Sequence, residues 1–175
     1  MESPVAVTSA QQGSNLRQSL TERGVILMKE SRPIAYVATL YGPSIEVAGH
    51  ILVRLRNSIR HIFYGVRLQY AETDTHASAA FIDSDEIDEL LGAVDFIVTS
   101  ADRMAHDRRD YTEVSYSTND HVTFGFYQQD SKQQAFVRFD GRLIHIGIEK
   151  LPILRSSIAD ARAHADTRKI AWESR

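Results

Sequence analysis

Apolar residues recur along this chain at two periods, and the change of period divides it into strands and helices. Val25-Ile26-Leu27-Met28 and Ile34 to Tyr41 are short runs of strand length, separated by Ser31-Arg32-Pro33 and closed by Gly42-Pro43-Ser44. Ile45 to Arg56 and Arg60 to Tyr70 alternate on either side of Asn57-Ser58, which reads as a tight turn, and Ala79 to Ile82 has the length of a further strand. The period then lengthens. Ile87, Leu90, Leu91, Val94, Ile97 and Val98 form one stripe of a helix, introduced by Asp83-Ser84-Asp85-Glu86, which has the form of a capping box. Beyond a charged connection at 102–110, alternation returns in Thr112 to Ser117, Val122 to Gln128, Ala135 to Phe139 and Leu143 to Ile148. Asp140-Gly141 is a hairpin turn, because a type I′ turn needs positive φ and glycine adopts it freely. A last helix from about Glu149, with Leu151, Leu154, Ile158 and Ala165 on one stripe, tolerates Pro152 in its first turn.

The order is several strands, a helix, several strands, a helix. Connections within each strand series are too short for parallel crossovers, so the pattern predicts an α+β fold of two ββββα-like halves, with mainly antiparallel sheets and two amphipathic helices. Residues 1–22 are polar and read as a mobile tail, with a short helical turn near Leu16 to Arg23. Residues 23–170 read as one domain, with pseudo-repeat halves 24–104 and 111–170. Ala80-Phe81-Ile82 before Ile87 and Leu90 matches Ile144-His145-Ile146 before Leu151 and Leu154 at a constant offset of 64.

Charge changes this picture in one region. Between Val47 and Ala71 there is no acidic residue, but there are Arg54, Arg56, Arg60, Arg67, His50 and His61. From Glu72 to Asp95 the sign inverts, with eight carboxylates and neither Lys nor Arg. If the turn has two residues, Arg56 faces Ile59, Arg54 faces His61 and Leu52 faces Phe63. Arg54, Arg56, His61, Phe63, Arg67 and Gln69 then share one sheet face, while Val53, Leu55, Ile62, Tyr64, Val66, Leu68 and Tyr70 share the core face.

At 175 residues the chain is long enough for a sizeable core. Its net charge of −3 supplies no whole-molecule attraction to nucleic acid or an anionic membrane, so any such attraction is local. The absence of cysteine removes disulfides, thiolate catalysis and cysteine-ligated metals. No secretory leader and no apolar run long enough to span a membrane is seen, and the simplest expectation is a cytoplasmic protein.

Recognised catalytic motifs are missing: there is no GxSxG, GxGxxG, P-loop or HExxH. Asp74-Thr75-His76 with Asp83, and His106-Asp107 with Asp110, are the local His/carboxylate clusters. Both fall in loops where such residues are expected anyway. The acidic helix face (Asp85, Asp88, Glu89, Asp95) reads as the wet side of an amphipathic helix, and Tyr116, Phe124, Phe126, Phe136 and Phe139 read as core. No catalytic residue, metal ligand or cofactor is assigned.

Two ββββα halves in this order resemble the Whirly family of single-stranded-DNA-binding proteins, over roughly Gly24 to Ala165. The resemblance implies the fold. The family's lysine-rich signature has no counterpart, Val25-Ile26-Leu27-Met28-Lys29 carrying one lysine, and no family residue is carried over. The expectation is a non-enzymatic binding or assembly module, homo-oligomeric or paired with another protein, with no membrane role. The alternative is single-stranded nucleic-acid binding through Arg54, Arg56, His61, Phe63 and Arg67; an enzyme whose site is assembled from distant residues is a second alternative.

Overall fold

A computed structural model describes residues 13–175. In chain order the elements are α1 (Asn15–Thr21), β1 (Ile26–Val37), β2 (Ile45–Arg56), β3 (Ile59–Thr73), β4 (His76–Asp83), α2 (Ile87–Met104), β5 (Arg109–Ser117), β6 (Val122–Asp130), β7 (Lys132–Phe139), β8 (Arg142–Ile146) and α3 (Lys150–Glu173). The architecture is α+β, with two four-stranded antiparallel sheets ordered β1-β2-β3-β4 and β5-β6-β7-β8.

The expectation of two helices is corrected to three. The additional helix, α1, lies where a short helical turn was expected within the polar tail, whose residues 1–12 fall outside the described region. Seven residues are too few to hold a helix in water alone. α1 forms because its surroundings complete it. Ser14 Oγ (2.9 Å) and the backbone N–H groups of Asn15 (2.6 Å) and Leu16 (3.0 Å) all donate to the Asp83 carboxylate, and Leu16 is fully buried. Asp83, expected to cap α2, therefore caps α1. α2 begins without a side-chain cap, although Glu86 does reach back to the Asp83 N–H (3.3 Å).

A second difference concerns β1. The two short runs expected on either side of Ser31-Arg32-Pro33 are one twelve-residue strand. Pro33 sits at a register shift on this edge strand, where its missing N–H costs no interior ladder bond. The β2–β3 hairpin has the two-residue turn: Arg56 faces Ile59, Arg54 faces His61 and Leu52 faces Phe63. Asn57 and Ser58 both have positive φ, as a type I′ turn requires.

The two halves are joined by their helices. α3 follows the second sheet but lies across β1, β2 and β3 of the first. α2 follows the first sheet and makes its main sheet contacts with β5 and β6 of the second, and the helices pack on each other. One apolar core results, drawn from both sheets and both helices. Its buried helix positions recur at the offset of 64: Ile87 and Leu151, Leu90 and Leu154, Val94 and Ile158, Ile97 and Ala161. Ion pairs add to the apolar seam, since Arg155 makes two 2.9 Å bonds to Asp95 and Arg162 pairs with Asp88.

α3 approaches β2 closely at Gly49. A Cβ there would lie 2.8 Å from the Ala161 carbonyl oxygen and 2.9 Å from the His164 ring. Farther along, Arg168 and the Trp172 indole (3.1 Å) both donate to Glu30 on β1, and the Arg168 bond holds the Glu30 carboxyl below its usual range. Gly49→Ala should push α3 off the sheet and cost about 1–3 kcal/mol, read as a lower urea midpoint. An unchanged midpoint would show that this approach carries no packing constraint.

Candidate binding faces

The predicted basic face exists as a face. Arg54, Arg56, His61, Phe63, Arg67 and Gln69 lie on the side of the first sheet away from α3, as their alternation requires. It is nevertheless neither open nor uncompensated. α1 lies on it, so that Leu16, Leu52 and Phe81 form a buried cluster with Leu20, Leu27 and Phe63 packed against it. Arg54 and Arg56 both pair with Glu22, just beyond the last residue of α1, and Arg67 donates to Glu46 (2.6 Å) on the adjacent strand. The Arg54 guanidinium stacks 5.1 Å from the Phe63 ring centroid. His61 and Arg56 are exposed at the hairpin end.

His50, beneath the same layer, is buried, and neither ring nitrogen has a hydrogen-bond partner. It packs 5.3 Å from the Phe81 ring. Burial, helped by the positive charges of Arg67 and Lys29, lowers its pKa to about 4.

Asp120, in the β5–β6 turn, is buried at the junction of the sheets. Its carboxylate accepts the Phe81 N–H (2.8 Å) and pairs with Arg17 of α1, whose guanidinium stacks 5.2 Å from the Phe81 ring. Glu86 is buried nearby. It accepts from the Asn119 N–H (3.0 Å), and burial raises its pKa against the opposing effect of these backbone donors. These carboxylates tie α1, β4 and the β5–β6 turn together.

The second sheet carries a face that the sequence reading did not isolate. Phe124, Phe126 and Phe139 point to the core and Tyr116 packs against it, as expected, but Phe136 points the other way and belongs to no core cluster. Across this outer face Tyr111 of β5 stacks on Tyr127 of β6 (6.1 Å, 22°). Tyr127 in turn lies 6.4 Å from Phe136 of β7 and 6.3 Å from His145 of β8, and Tyr41 meets His145 edge-on at 6.1 Å. Arg138 stacks 5.0 Å from Phe136, which is fully buried although it lies on the outer side. Gly125 makes room for it: a Cβ there would lie 2.9 Å from the Phe136 ring and 2.6 Å from the Val114 carbonyl oxygen. Tyr41 and Tyr111 are 84% and 59% exposed, and the helices meet this sheet on its opposite side. Parity was the available signal, since Phe136 and Phe139 are three residues apart and cannot share a face of a regular strand.

The two His/carboxylate clusters form no metal-binding group. Among the described residues no three His, Asp or Glu side chains converge as a cation site, and the His76 ring meets the Thr73 and Thr75 hydroxyls. No helix of the described residues is long and apolar enough to cross a membrane. No protein-family model, curated protein or solved structure matches the chain.

The His50 environment has a defined acid response. The folded pKa of about 4 lies below the ordinary 6.5, so the unfolded chain binds the extra proton first. Stability is therefore lost as pH falls from 6.5 toward 4. His50→Leu should remove on the order of 1–3 kcal/mol of that decline, seen as a smaller drop in urea midpoint between pH 7 and pH 4.5. An unaltered pH profile would mean that His50 is already accommodated when charged.

Proposed function

We propose that this chain is a non-catalytic binding module and that it holds single-stranded nucleic acid on the outer face of its second sheet. The observation that carries the reading is the aromatic row Tyr111, Tyr127 and His145 on β5, β6 and β8, continued by Tyr41 from the β1–β2 connection and backed by buried Phe136, on which Arg138 stacks. Every base has a π-face, so aromatic rings on a sheet accept unpaired bases with little regard to sequence. This reading moves the contact surface from the predicted Arg54–Phe63 face, whose arginines already hold carboxylates, to the other sheet.

A second reading is self-assembly along β1. This edge strand is twelve residues long and presents Ile26 and Tyr36, each about two-thirds exposed. An edge of that length is a template for pairing unless it is covered or interrupted.

Fluorescence anisotropy with a labelled single-stranded oligonucleotide tests the first reading, and light scattering tests the second. Tyr127→Ala should weaken oligonucleotide binding roughly five- to hundredfold, the worth of one stacked base. Because Arg138 is the cation within the row, the salt dependence should be shallow. A steep salt slope, or binding indifferent to Tyr127, would remove the aromatic face as the site. A mass above the monomer that falls on Ile26→Lys would establish the β1 edge as an interface.

A further inference from the structure

The first sheet's outer face contains a pair of arginines whose partner is supplied by the chain itself. Arg54 and Arg56 occupy alternate positions of β2 and so emerge on the same side. Each donates to a different oxygen of one carboxylate, Arg54 to Glu22 Oε2 and Arg56 to Glu22 Oε1 (3.1 Å). No other carboxylate pairs with either arginine among the described residues. Lys29, opposite Leu52 on the same face, forms no ion pair among them. We infer that Glu22 occupies an anion site in cis, and that the ligand proper to this site is a phosphate group.

Two features support phosphate over a second carboxylate. Arg54 is fixed by its stacking on Phe63 and is only 21% exposed, yet its Nε lies buried without an acceptor. A carboxylate has two oxygens, and Glu22 has committed both. A phosphate group offers a further acceptor oxygen and suits the planar donor fork of arginine.

The geometry also makes Glu22 displaceable. It lies past the end of α1 in extended conformation, followed by exposed Arg23 and by Gly24 at φ +72°. α1 itself is held elsewhere, by Asp83 at its N-terminus, by Arg17 on Asp120 and by buried Leu16. The Glu22 side chain therefore swings off the arginines while the helix stays docked. A cationic pair closed by its own carboxylate binds weakly until a stronger anion competes for it.

This inference builds on the reading of Arg54 and Arg56 as a binding pair and is independent of the aromatic face, so its test uses an anion without bases. Inorganic tripolyphosphate is titrated calorimetrically into the full chain and into Glu22→Gln, with thermal melting as the control for folding. Glu22→Gln should bind at least roughly fivefold more tightly, and adding Arg54→Ala or Arg56→Ala should abolish the gain. Glu22→Asp, which keeps the charge on a shorter arm, should fall between the two and keeps the test valid if the Gln variant is unstable. Tyr127→Ala should leave tripolyphosphate binding unchanged. No gain on removing the Glu22 charge, or a gain that survives loss of both arginines, would overturn the site. An equal gain for poly-glutamate would overturn its assignment to phosphate.

Discussion

The fold depends on an exchange of cover. Each four-stranded sheet has one apolar face, and the helix that follows it in sequence makes its main sheet contacts in the other half. α3 lies on β1, β2 and β3, while α2 lies against β5 and β6. A sheet that is apolar on one face must bury that face against another element. Neither half can therefore bury its core without the other, and the α2–α3 seam, with Arg155 on Asp95 and Arg162 on Asp88, is the joint that closes both. The close approach at Gly49 and the Glu30 anchor at the far end of α3 set how tightly the first sheet is sealed.

With both apolar faces occupied inward, what remains are two outer faces, and the chain treats them differently. The first is covered by α1, and its charges are settled locally by Glu22 and Glu46. The second is left with aromatic rings. The sign reversal so plain along the chain at 47–95 is resolved in space by separate partners. The basic hairpin meets Glu22 and Glu46, and the acidic helix meets the arginines of α3. Opposite charges adjacent in sequence need not be adjacent in the fold, because strand and helix turn them toward different neighbours.

Much of the frame was legible because it rests on local chemistry. Asn57-Ser58 fixes the β2–β3 register, Asp140-Gly141 fixes that of β7–β8, and the 3.6-residue stripe from Ile87 defines α2. The less legible parts depend on distant atoms. α1 has little helical signal of its own and takes shape only when Asp83, nearly seventy residues away, caps it. Ser31-Arg32-Pro33 reads as a turn by composition, but β2 pairs along it with only a register shift after Pro33, and the edge position tolerates the proline. Phe136 reads as core by residue type and is buried, yet it lies on the face opposite the core, where Gly125 leaves room for it. The pairing of Arg54 and Arg56 was illegible because Glu22 falls at the end of the short helical turn read near Leu16 to Arg23, and nothing in that segment says which sheet face it meets.

The exchange of cover also has a consequence in time. The first sheet is complete at Asp83, whereas the helix that lies on it begins at Lys150. At a synthesis rate of about 5–20 residues per second, the intervening stretch takes roughly three to thirteen seconds to appear. Throughout that interval Val53, Tyr64, Val66 and Leu68 have been made but their lid has not. The nascent chain therefore carries these apolar residues without their cover for far longer than hairpins take to form, and the first sheet reaches its final packing only once α3 has been made.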